Sequence, residues 1–147
     1  MRTEAFIVAP ENYDEAMNVL GVQINVLAPN VATHAYEITL QQGEEGAGPP
    51  PHRHDWDESF FVVRGNVEIH CEGNSTVCGP GTLVHLPAGT LHGYCFGAGG
   101  GQMLEITGQG GRAAEMFTNV SKEVPPGPPD LAKLLRVLSD NGVTVAA

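Results

Sequence analysis

Within the stretch PPPHRHDWDESFFVVRG, Pro49 to Gly65, two histidines stand one residue apart and a glutamate follows four residues after the second. Side chains of an extended segment alternate between two faces, so His52 and His54 point the same way, Arg53 points opposite, and Glu58 shares the histidines' parity. If the chain stays extended, or bends only slightly at Asp55-Trp56-Asp57, the three converge. Imidazole nitrogens suit zinc, copper, iron, nickel and similar cations, and a carboxylate completes a mixed donor set. Three ligands on one segment form one side of a metal site, and a fourth must come from elsewhere. His92 is the candidate, because it follows a Pro87-Ala88-Gly89 turn and opens another strand. Four protein ligands leave one or two positions for water, substrate or dioxygen, and an open position separates a catalytic metal from a structural one. Of the other histidines, His34 and His70 fall on wet faces of alternating strands and are assigned no role. His85, in the apolar strand before the turn, reads as a packed or supporting side chain rather than a ligand.

The elements that must carry these residues are short and β-rich. Nineteen glycines and eleven prolines cut the chain into brief segments, the pattern of an all-β domain with many turns. Strands are predicted over Gly21 to Ala28 and Thr33 to Gln42, the latter alternating Ala35, Glu37 and Thr39 against Tyr36, Ile38 and Leu40. SFFVVRG is apolar on both faces and is expected to be covered on both. NVEIHCEGNSTVCG reads as a hairpin turning at Gly73-Asn74, with Val67, Ile69 and Cys71 on one face and Glu68, His70 and Glu72 on the other. GTLVHLPAG is a strand that ends in the Pro-x-Gly corner. LHGYCF follows, then a flexible GAGGG tip and the strand QMLEIT. Toward the end, GRAAEMFTNV reads as a short helix, VPPGPP as a rigid loop and DLAKLLRVLSDNG as a second helix. Asp130 is its N-cap, Leu131, Leu134, Leu135 and Leu138 form its stripe, and Gly142 stops it. That stripe needs a partner: the protein's own sheet or a second copy.

Taken together, the two histidine-bearing segments place Gly46, His52, His54, Glu58 and Gly65, then Gly81, Pro87, Gly89 and His92, with fifteen residues between Gly65 and Gly81. This spacing resembles the two motifs of the cupin superfamily at their shortest usual separation, over Gly46 to Phe96. One position departs: Phe96 stands where the second motif usually ends in asparagine, which bears on the pocket lining rather than on the ligands. The resemblance implies an all-β fold, a jelly-roll-like double-sheet β-barrel with a short C-terminal helical segment. It implies one domain in which residues 1–45 supply N-terminal strands completing the barrel, 46–108 the core with both motifs, and 109–147 a C-terminal loop and helix packed on the barrel. It implies His52, His54, Glu58 and His92 as ligands of one divalent transition metal, which the donor set leaves open among Fe, Mn, Ni, Cu, Co and Zn. Homodimerisation is also expected by resemblance, through sheet edges and terminal segments; the N-terminal strand would be such an edge.

The fold hosts many functions and does not name the reaction. The proline-rich loop and terminal helix look like small cupins of the quercetinase-like group, which makes a metal-dependent dioxygenase the first reading. Glu58 would be both ligand and general base, and Phe60, Val62, Tyr94 and Phe96 the wall of a pocket for a small aromatic or enolisable substrate. A non-oxidative isomerase, cyclase or lyase, with Tyr94 or His85 moving a proton, is the second reading. A non-catalytic binding module is the third.

Composition narrows the partners. The chain has 147 residues, enough for one domain with a real core. A net charge of −10 excludes nucleic acid and anionic membrane surfaces as partners, since both require basic patches. No apolar run is long enough to span a bilayer, and the N-terminal residues lack the apolar core of a secretory signal. Cys71, Cys78 and Cys95 are odd in number and form no CxxC pair, which fits reduced thiols in a cytoplasmic protein. Cys95 lies three residues after His92, so parity turns it away from the metal. No nucleophile elbow and no phosphate loop is present.

Overall fold

The structure is a computed structural model and describes residues 3–146. Nine strands run as β1 (Met17–Val19), β2 (Val22–Ala28), β3 (Glu37–Gly43), β4 (His52–Arg53), β5 (Glu58–Cys71), β6 (Asn74–Cys78), β7 (Leu83–Leu86), β8 (His92–Thr107) and β9 (Thr144–Val145). Three α-helices accompany them, α1 (Asn30–Thr33), α2 (Ala113–Glu123) and α3 (Leu131–Asp140), with one 3-10 turn at Pro10–Asn12. All strand pairs are antiparallel. One path of the sheet runs β1-β2-β3-β8-β4-β9, while β5 pairs with β6, β7 and β8. The sheet curls into the all-β, jelly-roll-like barrel that the sequence implies.

The long strand β8 organises the fold. Its second half lies between β3 and β5, with Leu40 and Phe61 both opposite Leu104, while its first half pairs Phe96 with Val67 and His92 with Cys71. GAGGG is therefore not a flexible tip between two strands but part of β8. The register with β5 steps from Gly65↔Gly101 to Val67↔Phe96, so Gly97 to Gly100 bulge opposite Asn66. Glycine is required where the backbones close: Gly65 has φ +71 and an added Cβ would sit 2.2 Å from the Gly100 carbonyl oxygen.

Several boundaries differ from the sequence reading. Thr33 to Tyr36 do not belong to a strand, because α1 occupies Asn30–Thr33 and ends at His34 in the left-handed region, φ 58. The hairpin turn falls one residue earlier than expected, at Glu72-Gly73, both with positive φ, so that Cys71 pairs with Asn74. SFFVVRG is covered on one face only: Phe60 and Val62 are fully buried, whereas Phe61 and Val63 are 39% and 44% exposed. Polarity is inverted in β3 and the end of β8. Glu37, Thr39, Gln41, Glu105 and Thr107 point inward and are buried, while Ile38, Leu40, Leu104 and Ile106 face outward. A polar interior is tolerated only where its groups find partners or enclose a site.

The C-terminal helices close one mouth of the barrel. Ala113, Met116, Phe117 and Val120 repeat at helical spacing along α2 and are buried. α2 packs on α3 and against β1, and α3 adjoins β9. Asp130 caps α3 by accepting from the Lys133 amide at 3.2 Å. The stripe of α3 is turned relative to expectation: Leu134, Val137 and Leu138 are buried, but Leu131 and Leu135 stay exposed. Each buried aliphatic side chain contributes about 1.5–3 kcal/mol, so the helices are held firmly over the opening. No helix among the described residues is long and apolar enough to cross a membrane, and the three cysteines are unpaired.

Candidate metal centre

His52 and His92 are register partners across β4 and β8, which sets their rings 4.4 Å apart. His54 follows two residues after His52, and Glu58 opens β5 after the Asp55-Trp56-Asp57 bend. Gly93 lets this corner form, because an added Cβ would lie 3.0 Å from the Pro49 carbonyl oxygen of the proline run that leads into β4. Donor atoms of His52, His54 and His92 lie within 4.8 Å of one another. His54, Glu58 and His92 are buried and His52 is half-buried.

The ring orientations are set from behind. Nδ1 of His52 lies 2.8 Å from the Pro50 carbonyl oxygen, Nδ1 of His54 3.1 Å from that of Trp56, and Nδ1 of His92 2.9 Å from that of Thr90. A carbonyl oxygen only accepts, so each Nδ1 carries a hydrogen and the Nε2 atoms are left for the interior, the arrangement that orients metal-binding imidazoles. Glu58 Oε2 lies 2.9 Å from His54 Nε2 and 2.7 Å from His92 Nε2. The His92 contact is close enough for an ion pair, yet His92 Nε2 makes no properly angled hydrogen bond and stands as a buried polar atom without a partner. A carboxylate facing two imidazole Nε2 atoms needs positive charge between them, either extra protons or a cation. The residues present therefore fit a transition metal held by three imidazoles and a carboxylate.

Electrostatics agree with the geometry. Burial pulls His52 down to about 4, aided by the nearby His92. Burial alone would raise the Glu58 carboxyl, but the His54 hydrogen bond, the close His92 imidazole and Glu105 hold it well below the usual range. Burial would likewise lower His92, and the adjacent Glu58 carboxylate outweighs that and raises it. Burial and the charge of Glu58 push Glu105 well above the ordinary carboxyl range, so Glu105 is the protonated partner of the pair.

Glu105 belongs to a buried polar chain that sequence reasoning missed. Gln41 Nε2 donates to Glu105 Oε2 at 2.9 Å, and the Tyr94 hydroxyl donates to Gln41 Oε1. Burial, with Glu105 and Glu58 close by, pushes the Tyr94 phenol well above its ordinary range. Trp56 was also missed. Its ring stacks on His54 at a centroid distance of 4.3 Å and 7° between planes. Trp56 shares the even parity of His52, His54 and Glu58 across the bend, whereas Gln41 and Glu105 stand among apolar strand neighbours that turn outward.

The four ligand candidates line or adjoin a cavity of about 60 Å³. Phe60 and Tyr94 form part of its wall, together with Trp56, Met116, Phe117 and Leu138. Val62 and Phe96 do not line it. Both are core residues, and Phe96 is wedged between Gly43 and Gly101, where an added Cβ on either would come within 2.8 Å of its ring. Phe96 thus packs in the barrel core behind Tyr94, with ring centroids 5.5 Å apart, and does not line the cavity. His85 is exposed on the outer surface and bonds Ser59 Oγ at 2.9 Å, so it is neither packed nor in support of the centre. His70 bonds Ser75 Oγ at 2.8 Å outside the barrel, and Cys95 faces the same side, 4.0 Å from Glu68 and His70.

The family model "Cupin domain" matches residues 36–107, which includes every ligand candidate. The chain belongs to the cupin superfamily. Among solved structures, an RmlC-like cupin from Shewanella frigidimarina is similar at a TM-score of 0.65 and 19% identity, covering 74% of this chain and 95% of that one. KdgF from Halomonas sp. gives 0.63 at 23% identity, covering 73% and 94%. The polyketide cyclase RemF from Streptomyces resistomycificus gives 0.62 at 19% identity, covering 71% and 80%. At these identities the likeness of this cupin to its neighbours is one of fold. A search of curated proteins found no match.

Proposed function

We propose that this cupin is a metal-dependent enzyme acting on a small, enolisable carbonyl compound. The observation that carries the reading is the convergence of His52, His54 and His92, their Nδ1 atoms tied to carbonyl oxygens, at a cavity closed over by helices. His52, His54, Glu58 and His92 would hold one divalent transition metal. That metal would supply Lewis-acid polarisation of a substrate carbonyl or enol oxygen.

The chain's own residues do the rest. Phe60, Met116, Phe117 and Leu138 exclude water from the reacting group. The Tyr94 hydroxyl, fixed by Gln41, keeps its lone pairs free to accept from a substrate hydroxyl. Glu105, held by Gln41 and kept protonated beside Glu58, leaves the negative charge of the pair on Glu58. A cavity of about 60 Å³, only several times the roughly 10–15 Å³ that admits one water, favours a short oxo acid over a polycyclic flavonol.

The test is hydrogen–deuterium exchange at the carbon next to the carbonyl, followed by NMR on a panel of short oxo acids with metal-loaded protein. Exchange that requires metal supports the reading; no exchange on any member overturns it. A dioxygenase that attacks the same enol is the second reading, favoured by the apolar wall. Oxygen uptake during turnover separates the two. Tight binding without exchange or uptake would favour a non-catalytic binding module.

A further inference from the structure

Two buried side-chain nitrogens stand without a hydrogen-bond partner among the described residues, His92 Nε2 and Trp56 Nε1. A metal accounts for the first. The second is an N–H donor on a side chain only 3% exposed, and a metal does not need it. A buried donor left unpaired is costly and calls for an acceptor. None comes from the polar chain around the site: no acceptor of Tyr94, Gln41 or Glu105 bonds the Trp56 Nε1. Yet the Trp56 ring forms part of the cavity wall and is fixed by its stack on His54.

We propose that the Trp56 indole N–H is a specificity-determining donor, which binds an acceptor oxygen of the small molecule that enters this cavity. The ligand class is a short organic acid with a second oxygen, a carbonyl or carboxylate, beyond the group held at the metal. This rests on the metal-enzyme reading above. It adds to that reading a polar anchor in a wall that is otherwise apolar, and it turns recognition from mere size into a choice between oxygen and methyl at one position. A pocket that offers a buried donor rejects the analogue lacking the acceptor, because the donor is then left unpaired.

The test uses two acids of equal charge and similar shape, acetoacetate and 3-methylbutanoate, which differ by a ketone oxygen in place of a methyl group. Binding to zinc-loaded protein is measured by calorimetry for the wild type and for Trp56→Phe, which keeps an aromatic ring against His54 and removes the N–H. Both proteins are first checked for equal zinc content. The wild type is expected to prefer acetoacetate, and Trp56→Phe is expected to shrink that preference by about three- to tenfold, the worth of one neutral hydrogen bond. A merely structural role for the indole would weaken both acids alike and leave the preference unchanged, which would overturn the proposal. Failure of zinc-loaded wild type to bind either acid overturns it too. Failure to take up zinc at all strikes instead at the metal-enzyme reading, and the proposal falls with it. Trp56 is the only tryptophan in the chain, so wild-type emission gives a second measurement independent of the variant's folding. Emission should shift with acetoacetate and stay with 3-methylbutanoate; equal responses contradict the donor role.

Discussion

Loading the centre with a divalent metal should expel a proton, and affinity should depend on pH accordingly. The Nδ1 hydrogens of the three histidines are held by carbonyl oxygens, so a metal must take the Nε2 positions. His52 is pulled down to about 4 by burial and offers a free Nε2 at neutral pH. His92 is different: burial lowers it, but Glu58 at 2.7 Å outweighs burial and raises it above its ordinary value. Glu58 is held ionised against burial by its histidine and Glu105 bonds. The metal-free centre therefore keeps a proton between His92 and Glu58 to a higher pH than a free imidazole would, and the metal has to displace it. Displacing one proton weakens binding about tenfold, or about 1.4 kcal/mol, for each unit that pH falls below the raised His92 value. Above that value affinity should level off. Near pH 4, where His52 begins to protonate, the slope should steepen toward two protons. The assay is competition against a metal indicator in weakly coordinating buffers, paired with proton release read from a pH dye. Affinity that stays flat from about pH 5 to 7, with no proton released, would refute the reasoning, because a proton at a ligand nitrogen must compete with metal.

Three further outcomes are expected. Tyr94→Phe should keep full metal content but lose about 1–3 kcal/mol of stability in denaturant unfolding, since it leaves the buried Gln41 Oε1 without its donor; full activity on an identified substrate would remove Tyr94 from any acid–base role. Met116→Ala should cost about 2–5 kcal/mol and enlarge the cavity under α2, so that longer oxo acids bind more tightly than in the wild type when compared by calorimetry. The outward face of β3, β8, β5 and β7 carries Leu40, Leu104, Phe61 and Leu83 in one register row, with Ile38 and Val63 beside it and no acidic side chain. On a chain of charge −10 that neutral apolar face suits a second copy, so light scattering should show a dimer that Phe61→Lys converts to a monomer. A monomeric wild type at tens of micromolar, well above the dissociation constant of an ordinary stable interface, would count against it.

The ligand candidates were legible in the sequence as a cluster because one rule, two-residue alternation, acts over a short extended segment and because glycines and Pro87 mark the corners around it. His52, His54 and Glu58 share parity, and the bend at Asp55-Trp56-Asp57 does not break it. Glu105 and Gln41 were hidden by inverted polarity. In EITLQ and LEIT the apolar residues face outward and the polar ones inward, against the usual sense of amphipathic strands. A local pattern gives the alternation but not which side closes into a barrel. The glycine run was misread for a related reason. Glycine weakens strands in general, but here Gly65 and Gly100 permit a backbone approach no other residue allows. The helices that close the mouth were visible as amphipathic segments, whereas their place over the cavity depends on contacts between α2 and β1 that lie far apart in sequence.

The most direct test of the metal centre is elemental analysis after reconstitution, on wild type and on His54→Ala side by side. The account predicts one transition metal per wild-type chain and almost none in His54→Ala, with circular dichroism showing both proteins folded, since the hydrophobic core lies elsewhere. A wild type that takes up no stoichiometric metal, or a His54→Ala protein that retains it in full, would contradict the assignment of His52, His54, Glu58 and His92 as a metal centre.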